Sequence, residues 1–158
     1  MSKLDPIGGF RGSPRPANNS SQTVYGAGTA YSLTQTPALL NLGTTPVSIV
    51  LANPGTYLLM ARAVLEYNGA TFAASRVVTL KLRRTNNTAA DLANSSMAVN
   101  TAIVTTITNT FGDFVLPVVI YTTQNSNDII QIFGDVGTVP TAGSLDAVAG
   151  EIVAIRIS

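Results

Sequence analysis

Eight acidic and nine basic side chains carry all the charge of this 158-residue chain, so the chemistry open to it is set by few groups. Asp128 and Asp135 flank one apolar segment, and a cation could in principle meet both. Nothing near them matches a twelve-residue calcium loop, so the spacing favours two solvated turn carboxylates. Arg76, Lys81, Arg83 and Arg84 form a basic cluster of the kind that contacts phosphate. No aromatic residue interleaves with them and the formal net charge is only +1. The plainer account is the wet face of a strand, where charge also blunts edge pairing. The chain has no histidine and no cysteine. That removes the commonest general base, the serine triad, the thiolate nucleophile and the usual transition-metal ligands. Lys3 and Lys81 are the only lysines, and neither stands in a Ser–Lys motif. Asn18, Asn19, Asn86 and Asn94 match the glycosylation pattern, as expected by chance in a chain rich in Asn, Thr and Ser. The inventory predicts no enzyme, no cofactor and no metal site.

What the chain spells out instead is architecture. Gly55 to Tyr67 follows the turn signal Asn53-Pro54-Gly55 and reads with a period of two. Tyr57, Leu59, Ala61, Ala63, Leu65 and Tyr67 share one face, which has no charge and is predicted to face a core. Thr56, Leu58, Met60, Arg62, Val64 and Glu66 share the other. An ordinary surface strand is polar on its second face. This one is mostly apolar, so a second layer or a second subunit must cover it.

Other strands are predicted at Tyr31–Leu33, Ala38–Leu42, Val47–Leu51, Val77–Arg84, Ala102–Thr108, Phe114–Thr122, Asp128–Phe133 and Glu151–Ile157. Asn68-Gly69 is a turn signal expected to end the organising strand. Val77–Arg84 alternates cleanly, with Thr79, Lys81 and Arg83 facing water. Pro117 confines its strand to an edge or a bulge, because proline cannot donate to the ladder. Asp128–Phe133 and Glu151–Ile157 are apolar on both faces. Gly134 to Ala149, rich in Gly and small residues, reads as a loop, as does polar Thr85–Ser96.

Residues 1–24 differ in composition. Pro6, Pro14, Pro16, three glycines and the run Asn18-Asn19-Ser20-Ser21 discourage regular structure. Lys3, Arg11 and Arg15 against Asp5 give this arm a net +2. The expectation is two parts: an extended arm, 1–24, and a head domain, 25–158. Hydrophobic content is 46% and charged content 11%, which suits a packed β-rich assembly rather than disorder. Near-zero net charge implies no bulk attraction to nucleic acid or to a membrane surface. No apolar run is long enough to span a bilayer, and the polar start MSKLDP lacks a signal-peptide core.

Three segments carry a resemblance. Val47 to Tyr67 looks like a strand, a turn with Gly-x-Tyr, and a long central strand. Asn127-Asp128-Ile129-Ile130-Gln131-Ile132 resembles a "Gly-Asp-x-Val-x-Leu" strand, with Asn127 in place of the usual Gly. Gly150-Glu151-Ile152-Val153-Ala154-Ile155 looks like a closing strand. In this order they resemble the trimeric jelly roll of the tumour-necrosis-factor and complement-globular-head superfamily, over residues 30 to 158.

The resemblance implies an all-β, two-sheet antiparallel jelly-roll sandwich that assembles as a homotrimer. It implies that the central, Asp128 and closing strands share the inner sheet at the threefold axis, with Val77–Arg84 and Phe114–Thr122 in the outer sheet. Leu58, Met60, Arg62, Val64, Ile152 and Ala154 are then the expected trimer interface, with Glu66 or Glu151 as partner of Arg62. The arm, the Asn/Thr/Ala-rich loops and the lack of Cys are also similar in style to bacteriophage virion proteins of the decoration or head-fibre kind. The expected function is structural, on the capsid surface of a virion. Lys3, Arg11 and Arg15 are the expected anchor to a major capsid or other virion protein. The alternative is a receptor- or carbohydrate-binding fibre head that takes a host surface ligand in its loops, with Phe72, Phe111 and Tyr121 as candidate aromatics.

Overall fold

The computed structural model describes residues 30–42, 45–71, 77–100 and 110–158, and every regular element within them is a strand. In chain order these are β1 (Tyr31–Ser32), β2 (Ala38–Leu39), β3 (Asn41–Leu42), β4 (Thr45–Pro46), β5 (Ser48–Leu51), β6 (Gly55–Thr71), β7 (Val77–Arg84), β8 (Ala90–Asp91), β9 (Met97–Asn100), β10 (Thr110–Val115), β11 (Val119–Thr123), β12 (Asp128–Val136) and β13 (Ala142–Arg156). All pairings are antiparallel. The first sheet runs β1–β13–β6, with β10 and β11 end to end along the far side of β6. The second runs from β2 and β5 through β12 and β7 to β8 and β9. Hydrophobic faces of the two sheets meet in a jelly-roll sandwich. The expected Ala102–Thr108 strand and residues 1–24 lie outside the described residues.

Alternation in β6 decides the packing. Tyr57, Leu59, Ala61, Ala63, Leu65 and Tyr67 are all buried, while the intervening residues are partly exposed. Opposite them, Leu80 and Leu82 of β7, Ile130 and Ile132 of β12 and Ile49 of β5 fill the space between the sheets. Burying a side chain of this size contributes about 1.5–3 kcal/mol each, so the core rests on period-two patterning in both sheets.

Four expectations change. First, β12 lies in the second sheet, paired with β7 and β5, not beside β6. A strand apolar on both faces carries no mark of which sheet it joins. Second, the Phe114–Thr122 segment lies in the first sheet, as parts of β10 and β11 on β6. Pro117 separates the two. Val115 pairs with Arg62 and Val119 with Leu59, so four steps of the edge strand face three of β6. Proline thus sits both at an edge and at a bulge. Third, Gly134–Ala149 is mostly strand, because β12 runs to Val136 and β13 begins at Ala142. Small residues give little hydrophobic amplitude, yet their backbone pairs with the second half of β6. Fourth, β6 continues past Asn68-Gly69 to Thr71. Gly69 has φ +61° and faces Gly143 at φ +68°, so the pair makes a kink within the ladder rather than its end.

Candidate functional site: the outer face of the first sheet

Antiparallel partners point to the same side, so the register assigns the outer face of the first sheet row by row. One row is Ile120, Leu58 and Ile155; the next holds Met60 and Val153. Then come Val115, Arg62 and Glu151, and after them Asp113, Val64 and Ala149. Val115 and Ile120 are 64% and 68% exposed, and Val118 beside the bulge is 58% exposed. A hollow of about 160 Å³ opens on this face between Met60, Arg62, Val115, Glu151 and Val153. Single exposed apolar residues need no explanation, but a contiguous apolar sheet face marks an interaction surface.

Along the stretch from Ile120 to Val64 the charge is gathered into one group; Glu66, with Asp146 opposite it, lies further along the same face. Arg62 Nε donates to Glu151 Oε2 at 2.8 Å, and its Nη1 to Asp113 Oδ2 at 3.4 Å. Of the two expected partners, Glu151 is the one that the register brings opposite Arg62. Asp113 has no sequence signal, because it lies 51 residues away on β10.

The expected interface residues divide. Leu58, Met60, Arg62 and Val64 stand on the outer face. Ile152 and Ala154 do not: they are buried in the core opposite Ala61 and Leu59. Val153 and Ile155 take the outer positions instead. Glu-Ile-Val-Ala-Ile-Arg-Ile is apolar at both parities, so only pairing with β6 settles which side faces out.

A second polar centre joins the two sheets at one end. Asp128, at the start of β12, is 0% exposed rather than a solvated turn residue. Its carboxylate accepts from Tyr121 Oη at 2.7 Å, Thr123 Oγ1 at 2.5 Å and Asn87 Nδ2 at 2.8 Å, and Arg84 Nη1 stands 3.7 Å away. Burial alone pushes this carboxyl up. The bonds from Thr123, Asn87 and Tyr121 and the Arg84 charge outweigh it and hold the group below the ordinary carboxylate range. Burial, reinforced by Asp128, pushes the Tyr121 phenol up. Arg84 also donates to Tyr121 Oη and to the Thr88 carbonyl. All of this serves structure, since each donor already has a protein acceptor.

Asp135 is separate. Burial raises its carboxyl against the opposing effects of Lys81 and Thr79. Among the described residues no three Asp or Glu side chains are grouped to hold a metal. Of the basic cluster Arg76 lies outside the described residues and the other three are paired: Lys81 Nζ lies 2.8 Å from Asp91, Arg83 lies 3.6 Å from the same carboxylate and covers the Phe133 ring at 5.4 Å, and Arg84 is held by Asp128. Of the three candidate loop aromatics only Tyr121 has a described side chain, and its hydroxyl is engaged. Lys3, Arg11 and Arg15 lie outside the described residues. Among the described residues no helix is long and apolar enough to cross a membrane.

No family model and no curated protein matches the sequence. Solved structures do match the fold. The globular domain of zebrafish complement 1qA superposes with a TM-score of 0.54 at 13% identity, covering 89% of this chain and 98% of that one. A chain of the IBDV viral particle superposes at 0.50 with 14% identity, covering 87% of this chain but only 31% of that one. Eiger TNF from S. frugiperda gives 0.49 at 13% identity, covering 89% of this chain and 88% of that one. The chain shares its jelly-roll fold with the complement globular domain.

Proposed function

We propose that this jelly roll is a structural virion protein that assembles as a homotrimer and decorates or projects from a bacteriophage capsid. The observation that carries the reading is the outer face of the first sheet. It is apolar from Ile120 and Ile155 through Met60 and Val153 to Val115, with the charge of that stretch gathered into the Arg62–Glu151–Asp113 group and Glu66 further along. A second and a third copy of the chain cover that face in the proposed trimer, through Leu58, Met60, Arg62, Val64, Val153 and Ile155. The sharing of this fold with a chain of a viral particle supports the virion setting. So do the 11% charged content and the basic arm. Residues 1–24, with Lys3, Arg11 and Arg15, are the proposed anchor to a major capsid or other virion protein.

Native mass spectrometry at micromolar concentration tests the assembly: a trimer is expected, and a stable folded monomer overturns it. Salt-washed particles test the anchor. A chain lacking residues 1–24 should stay trimeric and lose occupancy, whereas unchanged occupancy moves the anchor to the loops of the head.

A further inference from the structure

Asn68-Gly69 is the only Asn-Gly pair in the chain. A glycine after asparagine leaves the backbone nitrogen between them unshielded, because no Cβ stands beside it. In the fold this pair lies within β6 at a break in its ladder with β13. Thr71 pairs with Ala142 and Asn68 with Ser144, so three steps of β6 face two of β13. The extra residue makes a bulge in β6, and Gly69 at φ +61° supplies the left-handed conformation that such a bulge takes. We propose that Asn68 is a site of spontaneous modification: in the folded chain it deamidates through a succinimide to aspartate and isoaspartate.

Three features of the fold carry this. First, the Asn68 side chain is exposed, and no hydrogen bond among the described residues holds its amide. Second, the carbonyls of Asn68 and Gly69 both close on Gly143, so tightly that a Cβ on Gly143 would run into them. A carbonyl and the N–H of the same trans peptide point to opposite sides. The Gly69 N–H is therefore turned away from β13 and takes no part in that ladder. Third, a Cβ placed on Gly69 would meet nothing within 4 Å among the described residues, so the attacking nitrogen stands beside open space.

The chemistry needs only these two residues and water. The deprotonated Gly69 nitrogen attacks Asn68 Cγ. The new N–Cγ bond closes the succinimide ring, the bond from Cγ to the side-chain nitrogen breaks, and ammonia leaves with the proton that Gly69 gave up. Water then opens the ring. Addition at Cγ restores the ordinary backbone with an aspartate side chain. Addition at the Asn68 backbone carbonyl carbon routes the main chain through Cβ and leaves isoaspartate. Nothing is oxidised or reduced.

Either product adds one carboxylate, so the formal net charge falls from +1 to 0. The new charge stands opposite Ser144, whose hydroxyl already donates to Asp146 at 2.6 Å, and two residues along β6 from Glu66, the partner of Asp146. An aged chain is thus more acidic at this end of β6 and β13 than a fresh one. The extra main-chain atom of isoaspartate falls at the bulge, where the ladder is already out of step.

Ageing of the unaltered full chain in neutral buffer, below its melting temperature, tests the proposal. Peptide mapping with labelling by isoaspartate methyltransferase follows each asparagine. Isoaspartate should form at Asn68 faster by about tenfold or more than at Asn125, which is exposed between β11 and β12 but is followed by Ser126. The rate at Asn68 in the folded chain should also lie within about tenfold of that in the urea-unfolded chain, because the site reacts without opening the fold. A smaller ratio to Asn125, or a folded rate below that limit, overturns the proposal. Isoelectric focusing gives an independent reading. Asn68→Asp marks where the acidic band of aged protein should run. Asn68→Gln should age without that band, since the longer side chain closes its ring far more slowly. Persistence of the band in Asn68→Gln overturns the assignment to this residue.

Discussion

Arg62 and Glu151 stand 89 residues apart in sequence yet face each other across β6 and β13, with Nε and Oε2 2.8 Å apart on the outer face of the first sheet, next to the apolar row of Met60 and Val153. On a lone head such a half-exposed pair is worth about 0–1 kcal/mol. Covered by another copy, the same pair becomes one whose single members are costly to remove, by about 3–5 kcal/mol.

That contrast gives the first prediction. Glu151→Gln should leave the melting of a dilute monomer within about 2–4 °C of the parent. It should shift the monomer–trimer equilibrium towards monomer by tenfold or more, read by sedimentation velocity. An unshifted equilibrium places the pair outside the interface.

Met60→Asp puts an unpaired carboxylate in the same face, at a cost of several kcal/mol per buried copy, and three copies repel, so the trimer should fail to assemble. The matched control is Val50→Asp, on the exposed side of the second sheet, expected near neutral at about half a kcal/mol. Lys81→Asp is not a neutral control, because Lys81 pairs with Asp91. Dissociation by Val50→Asp and not by Met60→Asp would exchange the roles of the two sheets.

Asp128→Ala strands the Tyr121 and Thr123 hydroxyls, the Asn87 amide and the Arg84 guanidinium around a vacated site. The expected loss is about 3 kcal/mol or more, or about 6–12 °C in melting temperature.

The pH dependence follows from the direction of the shift. The folded chain holds Asp128 below its ordinary value, so its contribution is complete above the unfolded carboxyl pKa of about 3.9 and is lost as pH falls through the lower folded value. Asp135 is raised and acts in the opposite sense: it favours the fold in acid and stops doing so as pH rises through its folded value. Melting curves of Asp128→Asn should therefore lose part of the acid limb below about pH 4 and leave the higher range unchanged in slope.

Gly69 and Gly143 have nearly the same positive φ but unlike surroundings. A Cβ on Gly69 meets open space, whereas one on Gly143 runs into the carbonyl oxygens of Asn68 and Gly69. Gly69→Ala should cost about 1–2 kcal/mol of backbone strain. Gly143→Ala should cost clearly more, because rigid backbone stands in the way. Chemical denaturation of the two variants ranks them, and equal losses contradict the close approach.

Both faces of β6 were legible because its period-two pattern runs unbroken from Tyr57 to Tyr67. Pro117 likewise announced its edge and its bulge through a missing N–H. Long-range facts were not legible. Asp128 looks like a strand-end carboxylate until residues five to forty-one positions away close around it. Nothing local distinguishes the core parity of Ile152 from the outer parity of Val153, since both are apolar and β-branched. The jelly-roll class was therefore readable from strand spacing and motif order, while the sheet membership of β12 and the outward parity of β13 required the pairing itself.

The pairing of β6 with β13 also sets a timetable. As the chain emerges during synthesis, the edge of β6 that β13 will occupy stays unpaired until roughly ninety more residues have been added, and closing so large a loop precedes any reward from the contact. A nascent head is thus sticky for most of its translation, and its yield should depend on how fast the β13 segment arrives relative to encounters with other unfinished copies.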